Sequence, residues 1–296
     1  MNDFSALAAS RRSVRAYLDK PVSAEDLRAI LDDAASAPSW SNTRAFRVAI
    51  AQGEQAQRLR KDYVERFDKT LDIQHHKAMA GAKAALRGDL PDGDFPVWKP
   101  YPSELRPAQV EVAKLLYGAY GVERSDHAGR DAANRRNVTA FDAPVMGFVF
   151  VHEKMLPWSA MDAGLMLQTL FLSAKSRGID SCAIGILSTW RAPVEAEFEI
   201  PEHYKLITGF ALGYGDPQAP INAMAAPRPA IELLPSKNLF VRSNWLLFGL
   251  TSPAGRWWRK PYLFKDIGPY LLCSLLAKCG QVFSLESAWL RGVAKA

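Results

Sequence analysis

Apolar positions early in the chain recur with a helical period. Leu27, Ile30, Leu31 and Ala34 stand at i, i+3, i+4 and i+7, which predicts an amphipathic helix with one buried face. Ser23 precedes this stripe and Asp26 follows three residues on, a weaker form of the capping box that marks a helix start. Residues 54–87 are charged and helical in pattern, with no break until Gly88, and Val110–Tyr120 predicts another helix. Phe46–Ala51 reads as a short strand. Pro144–His152, PVMGFVFVH, is a continuous apolar run that predicts a buried strand. Asp180–Leu187 and Leu206–Gly213 predict two more. Ser159–Arg177 is apolar on nearly every face, with Ala163 and Gly164 allowing close approach. A helix of that kind lies in a core or a subunit interface. Pro38–Thr43 predicts a loop. Leu90–Pro102 predicts a long loop rich in Pro, Gly and Asp, the kind that forms lids and binding loops.

Composition narrows the class. The chain has 296 residues, 48% hydrophobic and 23% charged, as in a globular protein of one large or two small domains, and disorder as the main state is excluded. Cys182, Cys273 and Cys279 form neither a disulfide framework nor a metal cluster. The start of the chain has no apolar signal core, and no run of about 18 apolar residues predicts a spanning helix. A cytoplasmic protein is expected.

The net charge of +6 is unevenly placed. Residues 235–296 hold nine Lys/Arg against two Asp/Glu, so the preceding 234 residues carry a net charge of −1. The same tail holds four of the eight tryptophans: Trp245, Trp257, Trp258 and Trp289. This predicts a body, 1–234, and a basic extension, 235–296. Interleaved Trp and Arg suit an anionic membrane surface, so peripheral membrane contact is one expectation for the extension. A wrap around the body or a non-native read-through segment are the others. No nucleic-acid module is visible.

Several segments carry candidate chemistry. Arg11-Arg12-Ser13-Val14-Arg15 puts three guanidinium groups and a hydroxyl in five residues, which suits a phosphate or a solvated basic patch equally. Pro38-Ser39-Trp40-Ser41-Asn42-Thr43 is a polar loop after a helix, either a ligand loop or a plain exit. Cys182–Ser188 runs off a strand into Gly185, where backbone can approach a flat ligand. Gly213-Tyr214-Gly215-Asp216-Pro217 follows a strand but is no dinucleotide fingerprint. Gln218 replaces the third glycine, and Pro217 and Pro220 oppose a helix start. His75-His76 lacks a second pair at metal spacing, so no metal site is expected.

Taken together and in order, these segments resemble the nitroreductase family of FMN-dependent oxidoreductases. The matching motifs are RRSVRAY at 11–17, PVSAEDLRAILDDAASAPSWSNTRAF at 21–46, FDAPVMGFVFV at 141–151, AMDAGLMLQTLFLSAKSRGIDSCAIGI at 160–186, ALGYGDP at 211–217 and PRPAIE at 227–232. Residues 101–137 look most like the 4-nitrobenzoate-reductase-like branch. The resemblance implies an α+β three-layer α/β/α sandwich, an obligate homodimer with FMN at the interface, and an atypical C-terminal extension. It implies that Arg11 and Arg228 bind the FMN phosphate, with Arg12 and Ser13 beside it. Arg15 lies near the flavin N1/O2 edge, and Ile184 and Gly185 lie where backbone approaches N5. Pro38, Ser39 and Asn42 come from the partner subunit.

The implied activity is hydride transfer from NADH or NADPH, through the flavin, to a nitroaromatic, a quinone or a similar flat electrophile. Flavin reduction and reductive dehalogenation use the same scaffold, and a non-catalytic, membrane-tethered flavoprotein is the reading from another class. Tyr101, Tyr117 and Tyr120 are candidate substrate contacts or packing residues. Two positions depart from the family pattern. Arg44 falls where the family has Asn-x-Gln-Pro-Trp, adding a cation near the pocket, and Asp142 stands where this branch often has glycine.

Overall fold

The computed structural model describes residues 3–76, 90–97 and 99–234. His75 and His76 lie within a described helix, but their side chains lie outside the described residues, as does the whole extension 235–296. All elements below belong to one compact unit, Met1–Pro229. In chain order they are α1 (Asp3–Ser10), α2 (Ala24–Ala34), β1 (Phe46–Gln52), α3 (Gly53–His76), α4 (Arg106–Ala119), α5 (His127–Val138), β2 (Val145–His152), α6 (Trp158–Ser176), β3 (Asp180–Ile184), α7 (Ala192–Glu195), β4 (Tyr204–Gly213) and α8 (Pro220–Ala223).

The strands form one antiparallel sheet in the order β1-β2-β4-β3. Phe46 pairs with Val151, Val145 with Leu212, and Asp180 with Gly213. Both faces are covered, and β2 is apolar and buried from Val145 to Val151. Val145, Val149 and Val151 point into one core with α2 and α6, through Ile30, Met166 and Leu170. Met146, Phe148 and Phe150 point into a second core with Leu59, Tyr63 and Trp190. A continuous apolar run is what a strand buried on both faces requires. Gly147 has no side chain because a Cβ there would lie 2.1 Å from the Phe210 ring.

The expected helix after Ser23 is present. Ser23 Oγ accepts the Asp26 N–H at 3.0 Å, and Leu27, Ile30 and Ala34 are buried. Two boundaries differ clearly from the sequence pattern, and one helix was not expected. β3 stops at Ile184, and Gly185–Ser188 is a 3-10 turn. α4 begins four residues before Val110, with Pro107 in its first turn. α5 carries no apolar stripe and is recognisable mainly by Asp126, whose carboxylate caps the Gly129 N–H at 2.8 Å.

Asp142 has φ +59°, and Ala140 and Phe141 are also left-handed. That explains why glycine suits position 142. Arg60 stabilises this turn by donating to the Thr139 and Ala143 carbonyls.

A buried phenol fixes the turn at the end of β3. Tyr63, on α3, is fully buried and donates to the Leu187 carbonyl at 2.6 Å, with the Trp190 carbonyl at 3.1 Å. Tyr63→Phe is expected to destabilise the fold by about 1–2 kcal/mol, the scale of buried acceptors left unpaired. Urea unfolding of the two proteins, with an unchanged denaturant slope, measures it.

Candidate functional site

The segment 11–17 is extended and joins the sheet beside β3. Ser13 bridges Ser181 in parallel, Tyr17 bridges Gly215, and Val14 N–H donates to the Ser181 carbonyl at 3.0 Å. Extended backbone sends alternate side chains to opposite sides. Val14 and Ala16 are buried, while Arg11, Ser13, Arg15 and Tyr17 share the other parity. All four act on the buried thiol of Cys182 or feel its charge. Burial pushes that thiol up, against the pull of Arg15, Ser13 and Arg11. The Tyr17 phenol is pushed well up, first by burial. Arg12 is exposed.

Arg228 arrives from the far end of the unit. The Arg11 guanidinium is pulled below its usual range by burial and then by the like charge of Arg228. Among the described residues, no carboxylate forms a salt bridge with Arg11, Arg15 or Arg228. Guanidinium groups that feel each other's charge without a carboxylate partner suit an anion.

β3 delivers Ile184 and Gly185 to the same region. Ile184 is buried, whereas Gly185 is exposed and a Cβ built on it meets nothing within 4 Å. The strand end therefore exposes backbone at Gly185. Ser188 Oγ donates to the Gly185 carbonyl at 2.8 Å and holds the turn.

The loop 38–44 is built on α6 instead. Trp40 N–H donates to Asp162 Oδ1 at 3.0 Å, and the Trp40 ring stacks on Trp158 at 4.4 Å. Ser39 Oγ accepts the Arg44 N–H at 3.0 Å. Ser41, Asn42 and Arg44 are all left-handed, at φ +47°, +54° and +48°. Pro38, Asn42 and Arg44 are exposed. Within one chain, no hydrogen bond or ion pair among the described residues joins this loop to the Arg11 cluster.

The tyrosines separate. Tyr120 is half-buried, its hydroxyl lacks a partner, and it feels the charges of Arg136 and Arg15. Arg136 lies over its ring at 5.6 Å. Tyr117 lines a groove of about 590 Å³ with Val110 and Arg130. Tyr101 lines a separate cavity of about 670 Å³ with Lys99 and Arg106. The expected lid is fastened at its base. Asp92 accepts the Arg191 and Ala192 N–H groups at 2.8 and 3.0 Å, and Asp94 accepts the Arg191 guanidinium at 2.6 Å.

Sequence reasoning missed Asp162, Tyr63, Arg136 and Asn222. Asp162 had a visible signal, a lone acid within an apolar helix. The others look like ordinary surface positions until the chain is folded.

The fold defines an α+β protein with a cluster of cations and a glycine-ended strand at one end of its sheet. The chain belongs to the nitroreductase family, whose description it matches over residues 8–214. It is similar to the 4-nitrobenzoate reductase of Pseudomonas putida, 32% identical over 228 residues, covering 77% of this chain and 92% of that one. It is also similar to the chloronitrobenzene nitroreductase of Comamonas testosteroni, 30% identical over 227 residues, covering 76% and 92%. Among solved structures, it is similar to the FMN-dependent nitroreductase NfnB from Mycobacterium smegmatis in complex with NADPH. That match has TM-score 0.66 at 28% identity, covering 77% of this chain and 94% of that one. The FMN and NADPH-dependent NfnB from Sphigopyxis sp. strain HMH matches at TM-score 0.65 and 28% identity, covering 78% and 99%.

The Asp162–Trp40 bond is expected to hold the left-handed loop in place. Asp162→Ala should abolish the ultraviolet circular-dichroism couplet of the stacked Trp40 and Trp158, while Asp162→Asn, which keeps an acceptor, should retain it. Equal couplets in both variants would mean that the stack holds the loop without Asp162.

Proposed function

We propose that this protein is an FMN-dependent NAD(P)H oxidoreductase that reduces nitroaromatics, quinones or similar flat electrophiles. The observation that carries the reading is the unneutralised pair Arg11 and Arg228 beside an open strand end at Gly185. The residues present fit FMN: a phosphate would supply the missing counter-charge, and a planar ring fits where a Cβ at Gly185 meets nothing. Arg11, Arg228 and Ser13 would hold the phosphate. Ile184 and Gly185 would offer backbone along the ring.

FMN held there would supply two-electron, hydride-transfer chemistry between a nicotinamide and an acceptor. The chain's part is electrostatic and steric. Arg15 puts a fixed positive charge where electron density rises during reduction. Among the described residues, no strand–turn–helix fits a dinucleotide. After β4, Asp180 accepts the Gly215 N–H at 3.2 Å, and the helix that follows among the described residues is the single turn Pro220–Ala223, which opens at Pro220 itself. Donor and acceptor therefore use the same open face in turn.

The working unit in this reading is a homodimer in which the loop 38–44 of a second copy completes the site, bringing Pro38, Ser39, Asn42 and Arg44. The outer face of α6 supports this. It buries Ala163, Met166 and Leu170 but leaves Trp158, Met161 and Leu165 exposed, so the helix is not buried all round within one chain. Tyr120 and Tyr117 are the acceptor contacts we favour. The segment 1–234 is the FMN domain, and the basic extension 235–296 is an accessory that contacts anionic membrane. No helix among the described residues is long and apolar enough to cross a membrane.

Arg11→Ala should weaken FMN by about 1.5–3 kcal/mol, or about 10- to 150-fold in Kd, read by fluorescence titration of the apoprotein. Initial rates with NAD(P)H and a nitroaromatic varied together should give parallel double-reciprocal lines, whereas intersecting lines would mean that both bind at once. The full chain should sediment with anionic vesicles at low salt and a 1–234 chain should not, with both retaining FMN. Equal sedimentation would end the membrane reading.

A further inference from the structure

Asn222 lies in the single-turn helix α8, 207 residues from Arg15. Its side-chain oxygen accepts two backbone N–H groups, from Arg15 at 2.9 Å and from Ala16 at 3.2 Å. Its amide nitrogen donates to the Ala16 carbonyl at 2.7 Å and to the Asp216 carbonyl at 2.9 Å. A primary amide has two lone pairs on oxygen and two N–H donors, and all are used here. The orientation is fixed by the partners, since a flipped amide would set donors against donors. Ala16 is thus paired on both its N–H and its C=O by one side chain, as if by a strand.

This clamp adds to the Asp216 N–H, which also donates to the Ala16 carbonyl at 3.0 Å, and supplies the partner of the Arg15 N–H. Ser13 and Val14 are tied to Ser181, and Leu18 N–H donates to the Tyr214 carbonyl at 2.8 Å. Among the described residues, the Arg15 N–H has Asn222 as its partner. The Arg15 guanidinium makes one internal hydrogen bond, to the Ser13 carbonyl at 3.3 Å. Its charge acts on Cys182, Tyr17 and Tyr120. A long side chain with so few contacts of its own takes its direction from its backbone.

We propose that Asn222 is the positioning residue for Arg15: by fixing the backbone at 15 and 16 it aims the guanidinium into the site and so sets the potential of the bound flavin. This rests on the reading of Arg15 as the cation at the flavin's electron-rich edge. Asn222 does not touch the ligand in this account, so its effect must pass through Arg15. That requirement separates it from a residue that only holds the fold together.

The test is a cycle on the FMN-loaded protein, with midpoint potential measured for the wild type, Arg15→Ala, Asn222→Ala and the double variant, alongside melting temperature. The expected result is a more negative potential for both single variants and no further change when Asn222→Ala is added to Arg15→Ala. FMN affinity of the apoprotein should fall by about tenfold in Asn222→Ala, the scale of one hydrogen bond to a charged group. A lower melting temperature with an unchanged potential would overturn the proposal and leave Asn222 a structural residue. A potential shift that persists in the Arg15→Ala background would also overturn it. If Arg15→Ala alone leaves the potential unmoved, the placement of Arg15 fails and the proposal falls with it. Should Asn222→Ala not fold, Asn222→Ser supplies the same readout, because its hydroxyl is too short to span both sides of Ala16.

Discussion

The site depends on one stretch of extended backbone being held in register against the sheet. Two side chains in succession on an extended chain point opposite ways. Once Val14 and Ala16 are committed to the core, Arg11, Ser13, Arg15 and Tyr17 must emerge together on the other side. A slip of one residue would bury the guanidinium groups and expose the valine. The bridges to Ser181 and Gly215 prevent it. β3 enters the same arrangement from below, carrying Cys182 beneath the arginines and Gly185 at the open end.

Electrostatics then turns geometry into function. Arg11 and Arg228 repel each other in a partly desolvated place, and in the proposed function a phosphate relieves that repulsion. Opposed to this rigid cluster is the loop 38–44, held on α6 by a buried carboxylate and a tryptophan stack. Left-handed residues that are not glycine persist only where surrounding contacts over-determine them. Ser41, Asn42 and Arg44 are such residues, and Asp162 and Ser39 supply the contacts. The two halves are built on different helices and strands of one chain, and two copies are the simplest way to bring them face to face.

The layers of the fold were legible because the apolar patterns are strong. β2 is apolar from Val145 to Val151 and α2 has a clean stripe behind a serine cap, and both stand where the pattern placed them. The resemblance supplied the sandwich, the family and the cofactor, none of which periodicity alone could give. What stayed hidden depends on long-range contact. α5 lacks a stripe because it packs little of itself. The break between Ile184 and Gly185 is set by Tyr63 from another helix. Asn222 is invisible in sequence, since its importance lies wholly in the backbone it meets.

The central claim is that Arg11 and Arg228 form a phosphate site, so the most direct measurement compares the affinity of the apoprotein for FMN and for riboflavin. The wild type should prefer FMN strongly, and Arg11→Ala/Arg228→Ala should lose most of that preference while riboflavin affinity changes little. Equal affinity of the wild type for the two flavins would contradict the account.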